Sequence, residues 1–151
     1  MPGRMTTPIR VVGDFLTAEA QAKLHVIANT FCYVGEQCIV EARNGGTYTD
    51  QSGNLRSSIG YAVLMNGQVI QSDCVDKIKN GDEGVTEGQK YLQSRIKRAS
   101  KKGIVLIVTA GMNYAEYVEA KGYVVLSSAA LKAPVLVKQI LTSLGFKCKY
   151  K

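Results

Sequence analysis

Ile59-Gly60-Tyr61-Ala62-Val63-Leu64-Met65, then Asn66-Gly67, then Gln68-Val69-Ile70-Gln71, decides how this chain folds. Asn-Gly between two strand-like runs is a hairpin signal, because both central residues of the tight turn need positive φ. Ile59, Tyr61, Val63 and Met65 recur at period two and share one strand face. A sheet therefore starts at residue 59, and the rest of the chain has to cover it.

Upstream, the segment Thr47 to Ser58 is polar and turn-rich around Ser52-Gly53-Asn54. Before it, Leu24, Ile27, Phe31, Val34, Cys38 and Ala42 recur at steps of three or four, the spacing of one helix face. Asp14 or Thr17 is expected to cap this helix, and Asn44-Gly45-Gly46 to stop it. Ile9-Arg10-Val11-Val12 reads as a short strand or an extended arm. Downstream, the loop Lys79-Asn80-Gly81-Asp82 leads into a helix over about 84–101, with Val85, Gly88, Leu92, Ile96 and Ala99 on one face. Ile104-Val105-Leu106-Ile107-Val108 is a continuous apolar run, expected to be a central strand covered on both sides. Asn113 with Glu116 forms a capping-box pattern for a short helix over 114–120. Tyr123-Val124-Val125-Leu126 reads as a further strand. A last helix is expected from Ser127 or Ser128 to about Leu144, in which Pro134 either kinks the helix or marks its first turn.

The order is helix, hairpin, helix, strand, helix, strand, helix. It predicts an α+β fold, with a long N-terminal helix packed on a mixed or antiparallel sheet of about four strands. The expected organisation is an irregular arm over 1–13, one domain over 14–146 and a basic tail over 147–151.

Composition narrows the function classes. The chain has 151 residues, 46% hydrophobic and 21% charged, which is ordinary for a globular domain. Such a length buries about two thirds of its unfolded surface without help from disulfides or metals. No apolar run is long enough to span a membrane, and the first residues lack the apolar core of a secretory signal. Synthesis and residence in a cytoplasm are expected. Cys32, Cys38, Cys74 and Cys148 show no metal or CxxC spacing and read as buried or incidental thiols, with Cys32 and Cys38 placed on different faces of the first helix.

A search for chemistry finds no catalytic, cofactor-binding or metal-binding constellation. His25 is the only histidine, and no serine or cysteine stands in a nucleophile-elbow context beside it. The glycines match neither phosphate-loop pattern. Glu116 and Glu119 lie three apart, and the capping role of Glu116 accounts for that spacing as well as a carboxylate pair does. No enzyme and no cofactor are expected.

Two features point outward. The net charge is +7, and Arg95, Lys97, Arg98, Lys101 and Lys102 crowd the end of the second long helix. They are candidate contacts to phosphate or to an acidic partner, and they support an alternative reading as a nucleic-acid-binding module. Cations also oppose the macrodipole at a helix C-terminus, which explains part of the cluster. There are eight tyrosines and no tryptophan, and Tyr114, Tyr117 and Tyr123 cluster around the short helix. Tyrosine combines a large contact area with a polar tip, which suits either a core or a surface covered on assembly.

Tyr48-Thr49-Asp50-Gln51-Ser52-Gly53-Asn54-Leu55-Arg56-Ser57-Ser58-Ile59 resembles a phrase of bacteriophage tail-completion proteins, the neck or head–tail joining minor tail components. Tyr114-Ala115-Glu116-Tyr117-Val118-Glu119-Ala120-Lys121-Gly122 resembles a second phrase of that family, in the same order and at similar spacing. The likeness spans about residues 14–145. It departs at Tyr123 to Ala129, where the family carries a "PFLRPA"-like segment. It implies a virion structural protein without catalysis or cofactor. Such a protein forms a ring, usually a hexamer, between the head connector or head-closure protein and the tail terminator or tube, with DNA in the lumen. Arg56, Tyr114, Tyr117, Glu119 and Tyr123 are then candidate subunit contacts, with Arg56 placed to pair with Glu119 or with a neighbour. The implied location is the virion neck, after synthesis in the host cytoplasm.

Overall fold

The computed structural model describes residues 8–73 and 79–149. Its longest element is helix α1 (Ile9–Asn44), followed by the helical turn α2 (Asn54–Ser57), strands β1 (Ile59–Met65) and β2 (Gln68–Asp73) and helix α3 (Asp82–Arg98). Strand β3 (Ile104–Ala110), helix α4 (Ala115–Ala120) and helix α5 (Ser127–Ser143) complete the α+β fold. The three strands form one antiparallel sheet in the order β2-β1-β3.

The hairpin forms where its turn residues require it. Asn66 has φ 52° and Gly67 φ 84°, the positive-φ pair of a tight turn. Lengthening the β1–β3 ladder at its two ends, the Gly111 N–H donates to the Ser58 carbonyl at 3.1 Å and the Asn66 N–H to the Gly103 carbonyl at 2.9 Å. Period-two alternation sorts the side chains into two layers. Ile59, Tyr61 and Val63 join Val34, Cys38, Ile39 and Ala42 of α1 and Ala129 of α5. On the opposite face, Ala62 and Leu64 meet Leu92 of α3, with Val105 and Ile107 packed alongside. The sheet is thus held between α1 with α5 on one side and α3 on the other.

Several expectations are corrected here. Ile9 to Val12 are not a strand or an irregular arm; α1 begins at Ile9, ahead of Asp14 and Thr17, and runs for 36 residues. The remainder of the predicted arm, residues 1–7, lies outside the described residues. Among the described residues the sheet has three strands rather than about four, because Tyr123 to Leu126 are not extended partners of any strand. Their apolar character serves burial instead, since Val125 is an inward plug in a separate cluster. The run from Ile104 packs against neighbours on both faces but stays only partly buried, and it is an edge strand rather than the expected central one; β1 is central. Pro134 lies inside α5 and does not mark its first turn. Cys32 and Cys38 both turn inward rather than to different sides, and burial pushes both thiols above the usual cysteine range.

Candidate interaction surface

The segment between α1 and β1 is organised by one buried carboxylate. Asp50 is 6% exposed. Its Oδ1 accepts the Gly53 N–H at 3.0 Å and its Oδ2 the Arg56 N–H at 3.0 Å. Gly53 adopts φ 81°, a left-handed conformation that costs glycine nothing. This turn aims Leu55 inward, where it is 2% exposed against Tyr48, Met112, Ala115 and Val125. Ser58 locks the next corner: its hydroxyl donates to the Leu55 carbonyl at 2.7 Å, and the Met112 N–H donates to Ser58 Oγ at 3.3 Å.

α3 is pinned to the same turn. The Gly84 N–H donates to Asn54 Oδ1 at 3.1 Å, and Asn54 Nδ2 donates to Glu83 Oε2 at 3.1 Å. The helix approaches so closely that a Cβ on Gly88 would stand 2.8 Å from the Ser58 backbone. Lys79 reaches over from the preceding loop, its Nζ donating to the Asp50 carbonyl at 2.7 Å.

Residues 48–59 and 114–122, far apart in sequence, therefore build one small cluster. Tyr48 and Leu55 from the first segment meet Ala115 and the partly buried Val118 from the second. Tyr114 and Val118 also line a shallow cleft of about 240 Å³ with Tyr48, Asp50, Ser52 and Leu55. Burial pushes the Tyr48 phenol up, while the nearby Arg56 cation opposes that shift. Comparisons with protein-family models, with curated proteins and with solved structures return no match. The site has to be read from its own geometry.

That geometry reassigns several candidate contacts. Arg56 does not pair with Glu119; its guanidinium lies over the Tyr48 ring, 5.4 Å from the centroid. Glu119 instead accepts the backbone N–H groups of Val125, Leu126 and Ser127, at 3.4, 3.2 and 2.7 Å. Burial raises its pKa, but the Ser127 hydroxyl together with these backbone donors outweighs burial and holds the carboxyl below the usual glutamate range. Glu119 is thus the anion at the start of α5, a role the sequence signalled only as an acid eight residues ahead of a serine pair. The expected Asn113–Glu116 capping box is absent, since α4 begins at Ala115 with no side-chain cap.

Tyr114, Tyr117 and Tyr123 all keep substantial exposure, with Tyr117 the most open at 60%. Lys121 Nζ sits 4.7 Å from the Tyr117 ring centroid. Aromatic rings held at the surface next to a firm core offer contact area at little entropic cost. The basic residues are all exposed, and Arg95 and Lys97 face different grooves. Arg95 lines an open groove of about 700 Å³ with Glu116 and Glu119, whereas Lys97 lines another, of about 580 Å³, beside Ser72. Lys101 packs against the Gly67 turn. His25 is exposed on α1. Among the described residues no group of three His, Cys, Asp or Glu could hold a metal ion. Among them, too, no helix is long and apolar enough to cross a membrane. Cys74 lies outside the described residues.

Proposed function

We propose that this chain is a non-enzymatic structural subunit of the neck of a long-tailed bacteriophage, a tail-completion protein that forms a ring between head connector and tail. The observation that carries the reading is the convergence of residues 48–59 and 114–122. The two phrases that resemble the family meet in one cluster, with Tyr48 and Leu55 on Ala115, so the resemblance falls on a structural unit rather than on two unrelated stretches. The exposed Tyr114, Tyr117 and Tyr123 beside that unit give it a surface suited to burial on assembly. Ring contacts are heterologous, so this patch meets a different patch on the next copy or on a head-closure, terminator or tube protein. The virion is the place of action, after synthesis in the host cytoplasm.

Arg95 and Lys97 line different grooves, which favours separate contacts with acidic protein surfaces over a continuous phosphate track. The test is association of the purified chain with the proteins encoded beside it, measured by co-sedimentation. Wild type is expected to bind at least one of them, and the double variant Tyr117→Ser with Tyr123→Ser to lose that binding while keeping its circular dichroism. A chain that binds none of those proteins overturns the reading.

A further inference from the structure

The two edges of the sheet are built differently. β2 carries Gln68, Gln71, Ser72 and Asp73, is exposed along most of its length, and shifts its register with β1 between Val63 and Leu64. Polar side chains and an irregular register blunt an edge against further pairing. β3 reads Ile104-Val105-Leu106-Ile107-Val108-Thr109-Ala110 in unbroken register, with no charge and no proline. Yet only β1 pairs with it among the described residues. The bonds at the ends of the β1–β3 ladder fix which groups β3 leaves free. The Gly111 N–H donates to Ser58 and the Asn66 N–H to Gly103, and both pairs stand directly opposite in the ladder's register. Residues that exchange bonds across an antiparallel pair alternate with residues that do not. Val105, Ile107 and Thr109 therefore turn their N–H and C=O groups to β1. Leu106, Val108 and Ala110 turn theirs to the open side. Two grooves lie beside these groups. One, of about 700 Å³, runs along Leu106 to Ala110, with Tyr91 and Arg95 of α3 and Glu116 and Ala120 of α4 as walls. The other, of about 720 Å³, includes Leu106 and Val108 and is lined by Phe31, Val137 and Phe146. Thr109 gives an independent sign: it is 4% exposed, lines the first groove, and its hydroxyl has no hydrogen-bond partner among the described residues.

We propose that this edge takes up an extended, acidic segment of another protein, added to β3 as a further strand. Unpaired backbone groups at two-residue intervals select a strand over a helix. The walls select a free segment over a second copy, because a copy presenting its own β3 would bring its own α3 and α4 into the space of the first. Alternation assigns the occupant's side chains. Leu106 and Val108 face the α1 and α5 layer, so every second residue of the occupant is apolar and enters the groove of Phe31 and Phe146. The residues between them face α3, where a Ser or Thr gives Thr109 its missing partner and a carboxylate meets Arg95. Lys147 and Lys149 line the apolar groove as well. Glu116 stands against these cations, while Glu119 is held by the start of α5. An occupant richer in acids than in bases therefore fits. The open edge is independent of the neck reading.

The probe is a fluorescein-labelled peptide, Glu-Val-Thr-Val-Glu-Val-Thr, titrated with the full chain and followed by fluorescence anisotropy. Saturable binding is expected, and the same peptide with lysine for glutamate should bind several-fold more weakly. Two further peptides carry N-methyl groups, one on the valine amides and the other on the glutamate and threonine amides. One set faces β3 and the other faces away, so only one methylated peptide should lose binding, and its identity gives the strand direction. In the protein, Val108→Pro removes one outward N–H and leaves the β1 ladder intact, at a kind of site where an edge strand accepts proline. It should keep the circular dichroism of wild type and weaken binding about tenfold, the effect of one lost backbone hydrogen bond. Absence of saturable binding by the unmodified peptide overturns the docking, and so does equal loss, or no loss, with both methylated peptides. Wild-type affinity in a folded Val108→Pro overturns the use of this edge. Tighter binding of the lysine peptide overturns the acidic occupant. A doubled mass in light scattering that Val108→Pro abolishes would make the occupant a second copy and overturn the free segment.

Discussion

Replacing Asp50 by alanine removes the group on which the whole 48–58 turn hangs. Two backbone donors, the N–H groups of Gly53 and Arg56, lose their acceptor at once, each now bonded at 3.0 Å. A hydrogen bond to a charged group contributes about 1.5–3 kcal/mol, and an orphaned buried donor carries its desolvation cost. The Gly53 bond is buried and the Arg56 bond is partly so, and water can replace part of the second. The expected loss is therefore about 3 kcal/mol rather than the sum of both maxima. With a urea slope of about 2 kcal/mol per molar, the unfolding midpoint should fall by about 1.5 M. Far-ultraviolet circular dichroism and tyrosine fluorescence, there being no tryptophan, follow the transition. Ser52→Ala is the control, because the Asn54 N–H reaches that hydroxyl at 3.3 Å in an exposed position; its effect should stay within about 0.5 kcal/mol. An Asp50→Ala midpoint within about 0.3 M of wild type, on the same slope, would refute the role given to this carboxylate.

Gly88→Ala should destabilise by about 2 kcal/mol or more in a urea titration, although alanine is intrinsically the better helix former by about 1 kcal/mol. The reason is the 2.8 Å approach to the Ser58 backbone, and a stabilised variant would show that this contact relaxes freely. Glu119→Gln should lower stability at neutral pH. A folded-state pKa below the unfolded one gives stability that is present above the unfolded value and lost as pH falls through the folded value. The gap between Glu119→Gln and wild type should thus close in acid, and a gap that is constant from neutral to acid pH would contradict the assignment. Duplex DNA, if bound at all, should show a shallow salt dependence, with a log–log slope of about −2 for two phosphates. A slope several times steeper would mean that Arg95, Lys97, Arg98, Lys101 and Lys102 act together after all.

The hairpin was legible because Asn66-Gly67 has one comfortable conformation and the flanking alternation has one period. The α+β class and the core stripe of α1 followed from periodicity in the same way. The strand expected at Tyr123 to Leu126 failed for a local reason: an apolar tetrad does not say whether its backbone pairs with a strand. Here Val125 fills a cluster, and three N–H groups between Val125 and Ser127 are claimed by Glu119. Ile9 to Val12 misled through β-branched residues ahead of a glycine, a local preference that the helix overrides. The position of β3 at the edge was invisible because apolar faces report covering layers, not the neighbour in the sheet. Glu119 was expected as a subunit contact or a partner of Arg56, whereas its carboxylate accepts the N–H groups at the start of α5. That pairing depends on how the 121–126 loop returns, which no short-range spacing encodes. The exposure of Tyr114, Tyr117 and Tyr123 settled as surface what composition left open between surface and core.

The central claim is that this chain builds a ring at a phage head–tail junction. Negative-stain electron microscopy of the purified chain, mixed with the connector and tail proteins encoded beside it, tests that claim most directly. Class averages should show closed rings with rotational symmetry, sixfold by the family resemblance, attached to connector or tail-tube particles. Fields in which the chain stays a free monomer or dimer and decorates neither particle would contradict it.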